Sequence, residues 1–491
     1  MIILYNPPST VQKKRVLPMS LLAVGAVLEG EHDYVIIDGN VEPNAIDRIG
    51  YFVREKAARV LAVTVMPGPQ LRNAVSECKT LKKLHPHLII VWGGYFPTQH
   101  WDVCLKADYV DYVIRGHGEL VFKKLLDEFK NGFEPSILRG LAYRNATAHT
   151  PASNPLPAIP HPDELPDFPY HRVDMSNYVR PTFMGERTMP HHSSYGCPFF
   201  CNFCAVVNLV NGKWLAQSAE RTANTTEILV KNWQVNAVEF YDNNFFTKQS
   251  RVAEFADRIE HLGIHWWGEA RIDTLLKYSE NTWDLMARSG LKMVFLGAES
   301  GSDETLQRMD KGGSATVEKT LDIAGKMRQY GIIPEFSFVL GNPPEPEKDT
   351  ETTIDFIKRV KKVNPQSEII MYLYSPVPLS GELYENAKAN GFEFPETLEE
   401  WVSDEWQEFS QRRSLTLPWI KDPLTRKVRN FERVLNAYYP TSTDMRLTSA
   451  RRALLRTLSA WRYHTRFYKM PLELQVLQRF LAYQRPETSG F

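Results

Sequence analysis

Apolar runs long enough to cross a bilayer are missing from this chain, and so is any imbalance of charge. No stretch approaches the roughly twenty consecutive apolar residues of a membrane helix, and 58 Lys and Arg residues are matched by 58 Asp and Glu. The first absence argues against a spanning helix; the second creates no demand for a polyanion, and no nucleic-acid partner is expected. A basic leader with an apolar core is also lacking, because Met1-Ile2-Ile3-Leu4-Tyr5 reads as a strand. Cysteine is scarce, with five in 491 residues, so a disulfide scaffold is excluded and the reducing cytoplasm is the expected setting. Two of the five, Cys78 and Cys104, stand singly in helical patterns and read as small buried hydrophobes. No G-x-G-x-x-G follows the first strand, which argues against a dinucleotide site.

The other three cysteines are concentrated. Cys197, Cys201 and Cys204 occupy one stretch of eight residues, separated by three and then two positions. Soft thiolates at such spacing bind either an iron–sulfur cluster or zinc. A zinc site would draw its fourth ligand from His191 or His192. A 4Fe-4S cluster on three thiolates instead keeps one iron open to a substrate.

The organisation around this triplet is α/β. Residues 1–148 alternate β-branched runs (2–6, 34–38, 60–65, 88–92, 112–115) with amphipathic helical stretches such as 17–28 and 70–84, the pattern of a Rossmann-like parallel sheet. Its strands end in Asn6-Pro7-Pro8-Ser9, Asp38-Gly39-Asn40, Gly93-Gly94-Tyr95-Phe96-Pro97-Thr98 and Arg115-Gly116-His117-Gly118-Glu119. Ligands of open α/β sheets bind outside such ends, and glycine lets backbone approach them closely. Residues 149–187 are proline-rich and read as a semi-rigid linker. Residues 188–390 hold six strand-then-helix units, a partial (β/α)6 barrel whose first strand precedes Cys197. Polar residues close the later strands: Asp242-Asn243 the second, Glu269-Ala270-Arg271 the third, Glu299 the fourth. Residues 391–491 form a mainly helical, basic C-terminal region, in which Leu454, Leu458, Trp461 and Tyr468 at helical spacing read as core. Arg451, Arg452, Arg456, Arg462 and Arg466 there offer an anion-attracting face, and with it peripheral contact to an acidic membrane surface.

The triplet resembles the signature of the radical S-adenosylmethionine (SAM) enzymes, and the glycine-bearing loops of the first domain resemble those of the cobalamin-binding domains fused to them. The resemblance covers nearly the whole chain. It implies a 4Fe-4S cluster on Cys197, Cys201 and Cys204, whose open iron chelates SAM, with Asp242, Asn243 and Glu299 as SAM contacts and Arg271 as partner of its carboxylate. It implies a cobalamin site built from Asn6, Pro7, Asp38, Gly39, Gly93, Gly94, Pro97, Thr98, Arg115, Gly116, Gly118 and Glu119. The Asp-x-His-x-x-Gly of mutase-type cobalamin domains is absent, since that place reads Asn6-Pro7-Pro8-Ser9-Thr10-Val11, so no protein histidine is expected beneath cobalt. The group contains methyltransferases acting on unactivated carbon or phosphorus, and the anaerobic oxidative cyclase of magnesium-protoporphyrin monomethyl ester. Methylation of a small molecule is the first expectation, oxidation or cyclisation the second, and a cobalamin- or SAM-binding sensor without turnover the reading of another class. A reducing protein such as flavodoxin or ferredoxin is the implied electron donor. The tRNA methylthiotransferases share a triplet, but their second cluster needs three N-terminal cysteines, and this chain has only Cys78 and Cys104 there.

Overall fold

The computed structural model describes residues 1–9, 15–132, 134–145, 147–311, 314–377, 382–410, 417–445 and 447–481. Thr10 and Val11, and residues 378–381 of the loop after the sixth barrel strand, lie outside them. Chain contacts divide the protein into two units.

The first unit holds Met1–Tyr178 together with Asn208–Val210 and Glu393–Ser414. Its sheet consists of β1 (Ile2–Asn6), β2 (Tyr34–Asp38), β3 (Val60–Thr64), β4 (Ile89–Gly93), β5 (Tyr112–Ile114), β6 (Leu141–Arg144) and β7 (Pro151–Ser153), in the order β2-β1-β3-β4-β5-β6-β7. The pairings from β2 through β5 are parallel, and β6 and β7 close the edge antiparallel. Alternation along β1 decides the layering. Ile3 and Tyr5 face one buried layer, with Leu61, Ile90 and Trp92; Ile2 and Leu4 face the other, with Val91 and Phe122. Both faces are therefore covered, as parallel sheets require. Cys78 and Cys104 are fully buried, and the Trp92 indole donates to Cys78 Sγ at 3.4 Å. The order reverses at β1, and in doubly wound sheets that is where a ligand crevice opens.

Two segments join this unit from elsewhere in the sequence. The proline-rich stretch does not stand free between domains. Arg172 pairs with Glu29 and lies 4.6 Å from the Tyr34 ring centroid, and Tyr178 donates to Asp38 Oδ2 at 2.9 Å. Glu393–Ser414, expected to be part of the C-terminal region, places Trp401 against Phe96 and His100 with ring centroids 5.0 and 4.6 Å apart. Burial there pushes the His100 imidazole down to about 4, so it sits neutral among the rings.

The second unit is built on β8 (Arg180–Thr182), β9 (Gly185–His191), β10 (Ser194–Gly196), β11 (Trp214–Ala216), β12 (Ala237–Phe240), β13 (His265–Ala270), β14 (Leu291–Glu299), β15 (Ile333–Leu340) and β16 (Glu368–Leu373). Six strands run parallel in the order β16-β15-β14-β13-β12-β9, with β8 antiparallel at the edge, giving the curled sheet of a partial barrel. The first barrel strand is β9; β10 intervenes before the cysteines, which lie in the connection between β10 and its antiparallel partner β11. Side chains cap several connecting helices: Ser218 accepts from Arg221 N, Ser279 from Thr282 N and Thr316 from Lys319 N. Beyond the barrel lie helices Asp422–Tyr438, Ser449–Thr465 and Leu472–Leu481.

In the second of these helices the apolar reading is corrected. Leu454, Leu458 and Trp461 are exposed, and Tyr468 is half-buried. The helix turns Leu455, Ser459, Arg462 and Tyr463 inward instead. Helical spacing identifies a stripe, but only packing decides whether the stripe is covered.

Candidate active site

The cysteine loop follows Gly196, whose φ of +80° lets the chain leave β10 in a turn that residues with a Cβ rarely make. Cys201 is buried, and Cys197 and Cys204 are half-buried. Two groups from other strand ends reach these sulfurs. The Arg271 guanidinium donates to Cys201 Sγ at 3.4 Å, and the Asn244 amide lies 3.7 Å from Cys197 Sγ. Phe199 lies beneath Arg271, 3.8 Å from the guanidinium carbon to its ring centroid, and Asn202 ties the loop to Arg308 O at 2.6 Å.

Burial pushes the Cys204 thiol up to about 12. It raises Cys201 as well, against the pull of Lys311 and Arg271. Thiols in such surroundings ionise when a metal takes the proton's place. Among the described residues no three His, Cys, Asp or Glu side chains are gathered closely enough to hold a single ion. Three soft thiolates on one loop are the donor set of an iron–sulfur cluster. Asn244 points to a donor-bearing ligand beside the cluster position: its Oδ1 is buried beside this loop with no protein partner. That is an acceptor awaiting a donor the chain does not supply.

The expected SAM contacts are arranged differently from one another. Asp242 is fully buried, and its oxygens are taken by Ser193 N at 3.0 Å and Ser193 Oγ at 2.8 Å. Arg251 braces the same hydroxyl at 2.7 Å. Asp242 thus fixes the turn after β9, and Asn243 is the exposed residue at this strand end. Arg271 is similarly engaged. It forms two bonds with Asp273, at 3.0 and 3.1 Å, and a third with Lys311 O at 2.6 Å. Burial alone would raise the Asp273 carboxyl, but the bonds from Arg271 and Ser314 outweigh it and hold it below the usual range. Glu299, at φ +63°, is ion-paired with buried Lys311, which also donates to Gly297 O at 2.6 Å. Arg271 and Glu299 therefore meet through Lys311 as one buried charge network behind the cysteine loop.

Sequence reasoning missed Lys311, Asp273, Asn244 and Ser193. Asp273 follows Arg271 by two residues and Asn244 follows Asn243 directly, so both lay within reach of the motif reading. Lys311 sits in an irregular loop with no periodic signal.

Glu269 is part-buried at the end of β13, and burial with the neighbouring Asp242 charge pushes its carboxyl up to about 8. Glu335 on β15 is buried and accepts from the Trp267 indole at 3.2 Å. Its carboxyl is also pushed to about 8, chiefly by burial and then by Glu368. A folded-state value above the unfolded one means that the fold prefers the protonated acid. The stabilisation is complete below about 4.5 and is lost as pH rises through about 8. Glu335→Gln is therefore expected to leave thermal stability unchanged near pH 4.5 and to raise it above pH 8, as read by melting across that window.

In the first unit the expected cobalamin residues form two groups. Asn6 donates to Asp38 Oδ1 at 2.8 Å, Gly39 N donates to Asn6 O at 2.8 Å, and Gln70 reaches Asn6 Oδ1 at 2.7 Å and Pro7 O at 3.3 Å. The second group joins the ends of β4 and β5. Thr98 Oγ1 donates to Gly94 O at 2.7 Å and accepts from Gly116 N at 3.0 Å, and Arg115 donates to Ser153 Oγ at 2.8 Å. Gly94 has φ +100°, and a Cβ there would lie 3.2 Å from Val65 N. Gly93 has nothing but Ile114 O at 3.9 Å before its missing Cβ, Pro97 is buried in the short helix Tyr95–Gln99, and Gly118 and buried Glu119 open the helix Glu119–Asn131. The glycines at these strand ends chiefly admit close packing of neighbouring loops, with a Cβ on Gly39 meeting Pro8 at 2.6 Å.

Two family models match the chain: the B12 binding domain over residues 10–126 and the radical SAM superfamily over residues 192–357. The chain thus carries a B12-binding domain followed by a radical SAM domain, the pairing found in cobalamin-dependent radical SAM enzymes. Among relatives of this chain is an uncharacterized methyltransferase of Pyrococcus horikoshii, 28% identical over 367 residues, covering 73% of this chain and 78% of that protein. Another is the anaerobic magnesium-protoporphyrin IX monomethyl ester cyclase of Synechocystis, 24% identical over 382 residues and covering 76% and 74%. Among solved structures, the cobalamin-dependent SAM radical enzyme OxsB matches with a TM-score of 0.66 at 15% identity, over 98% of this chain and 75% of that one. The radical SAM methyltransferase TsrM of Kitasatospora setae gives 0.61 at 16% identity, over 75% and 72%. These likenesses support the fold of the cobalamin-binding radical SAM enzymes.

Proposed function

We propose that this protein is a cobalamin-dependent radical SAM methyltransferase that methylates an unactivated carbon of a small molecule. The observation carrying the reading is a cysteine triplet backed by a buried network of ion pairs, in a chain that also holds a B12-binding domain. When bound, the cluster supplies an electron to SAM, yielding a 5'-deoxyadenosyl radical, and cobalamin supplies the methyl group. Cys197, Cys201 and Cys204 hold the cluster. Arg271 donates to Cys201 and, through Asp273 and Lys311, fixes the strand ends behind it. Exposed Asn243 and the unmet acceptor of Asn244 would contact SAM at the second strand end. Positioning is the protein's main contribution, since a radical reacts with whatever lies nearest.

The protein works in the cytoplasm and takes electrons from flavodoxin or ferredoxin. Among the described residues no helix is long and apolar enough to cross a membrane. The cyclase relative supports a second reading, oxidation or cyclisation of a tetrapyrrole-like substrate without methyl transfer. Anaerobically reconstituted protein with SAM, reductant and candidate substrates separates the readings. Substrate-dependent S-adenosylhomocysteine with 5'-deoxyadenosine supports methyl transfer, and 5'-deoxyadenosine alone supports the second reading. No SAM cleavage with any substrate would leave a cobalamin- or SAM-binding sensor.

A further inference from the structure

The C-terminal helices carry an exposed apolar face that the barrel does not use. On Ser449–Thr465, Leu454, Leu458 and Trp461 recur at intervals of four and three residues and stand in solvent, Trp461 at 50% exposure. On Leu472–Leu481, Leu472, Val476 and Phe480 repeat every four residues, with Phe480 82% exposed. The turn between the helices adds Phe467, stacked on Trp461 at 5.7 Å, and Met470 at 69% exposure.

This turn is held in shape. Buried Arg462 donates to Lys469 O at 2.8 Å and Met470 O at 3.2 Å, and it pairs with Glu473. The large apolar side chains are thus presented outward by a fixed scaffold.

Charge identifies the occupant. Residues 445–481 contain eight Arg and Lys and a single acid, Glu473, which Arg462 engages. Exposed Arg451, Lys469 and Arg479 stand beside the apolar residues. A second copy of this face would oppose its positive charges to themselves. A polynucleotide would meet the arginines but leave the Leu, Trp and Phe side chains in water. An anionic bilayer surface satisfies both, since apolar side chains enter the headgroup boundary while arginines meet lipid phosphates. We propose that the apolar and basic face of residues 449–481 docks this enzyme on anionic lipid bilayers.

The test is cosedimentation of full-length holoprotein with vesicles of phosphatidylcholine alone or mixed with phosphatidylglycerol. Binding is expected only to the mixed vesicles and should weaken steeply with added salt. Leu458→Glu combined with Trp461→Glu, both at exposed positions, should lower vesicle binding at least tenfold while melting temperature and vesicle-free SAM cleavage stay unchanged. Arg451→Glu with Arg479→Glu, both exposed beside the apolar stripe, should weaken binding to mixed vesicles. Failure to bind mixed vesicles would overturn the proposal. So would equal binding to neutral vesicles, a dimer that the Leu458 and Trp461 substitutions dissolve, or salt-sensitive binding to single-stranded nucleic acid without vesicle binding.

Discussion

Cys201→Ala is expected to yield protein that folds but retains neither iron nor sulfide after anaerobic reconstitution, and that cleaves no SAM above background. Cys201 is the most enclosed of the three thiols and the one that Arg271 addresses. Its loss removes a ligand at a position water cannot easily replace. Two thiolates hold a cluster poorly, so iron and sulfide content should fall with activity rather than remain behind it. Cys197→Ala and Cys204→Ala should behave alike. Cobalamin binding is a useful control, because the residues expected to hold it belong to the other unit and should be untouched. A variant lacking all three cysteines that still displayed iron–sulfur absorbance would overturn the assignment.

Arg271→Met should be nearly as damaging, by another route. The substitution strands Asp273 as a buried carboxylate with Ser314 its one remaining donor among the described residues, and breaking such a pair costs about 3–5 kcal/mol. It also removes the donor at Cys201 Sγ, and losing such a supporting bond costs roughly 10–100-fold in metal retention. The two consequences separate in the double variant Arg271→Met/Asp273→Leu. Removing both charges should recover much of the melting temperature, since buried pairs are often replaceable by apolar groups. Cluster retention should stay low, because Cys201 still lacks its donor. Equal recovery of both would show that Arg271 serves stability alone.

These two residues also mark how far the sequence could be read. The cysteine triplet is local, so its spacing alone announces metal chemistry. The parallel sheets were legible for a similar reason: β-branched runs such as Ile2–Asn6 and Tyr34–Asp38 are short, and breakers bound them. The support behind the triplet was not legible, because the bond from Arg271 to Cys201 spans 70 positions and that from Arg271 to Lys311 spans 40. Only strand order brings them together. Asp242 was identified as a polar strand end, yet nothing in its neighbours shows that Ser193, 49 positions earlier, would claim its carboxylate. Helical spacing revealed the stripe of Leu454, Leu458 and Trp461, but burial depends on what lies opposite, and periodicity carries no information on that.

The segment bearing Trp401 has a consequence for how the protein is made. The first unit begins at Met1, yet part of its aromatic packing, Trp401 on Phe96 and His100 and Phe394 on Trp401, comes from residues translated some three hundred positions later. A ribosome therefore delivers the whole barrel sheet before it delivers the last piece of the domain it started first. Phe96 and His100 must wait without that cover during synthesis, and a gene fragment ending near residue 180 would encode a domain permanently short of its final layer.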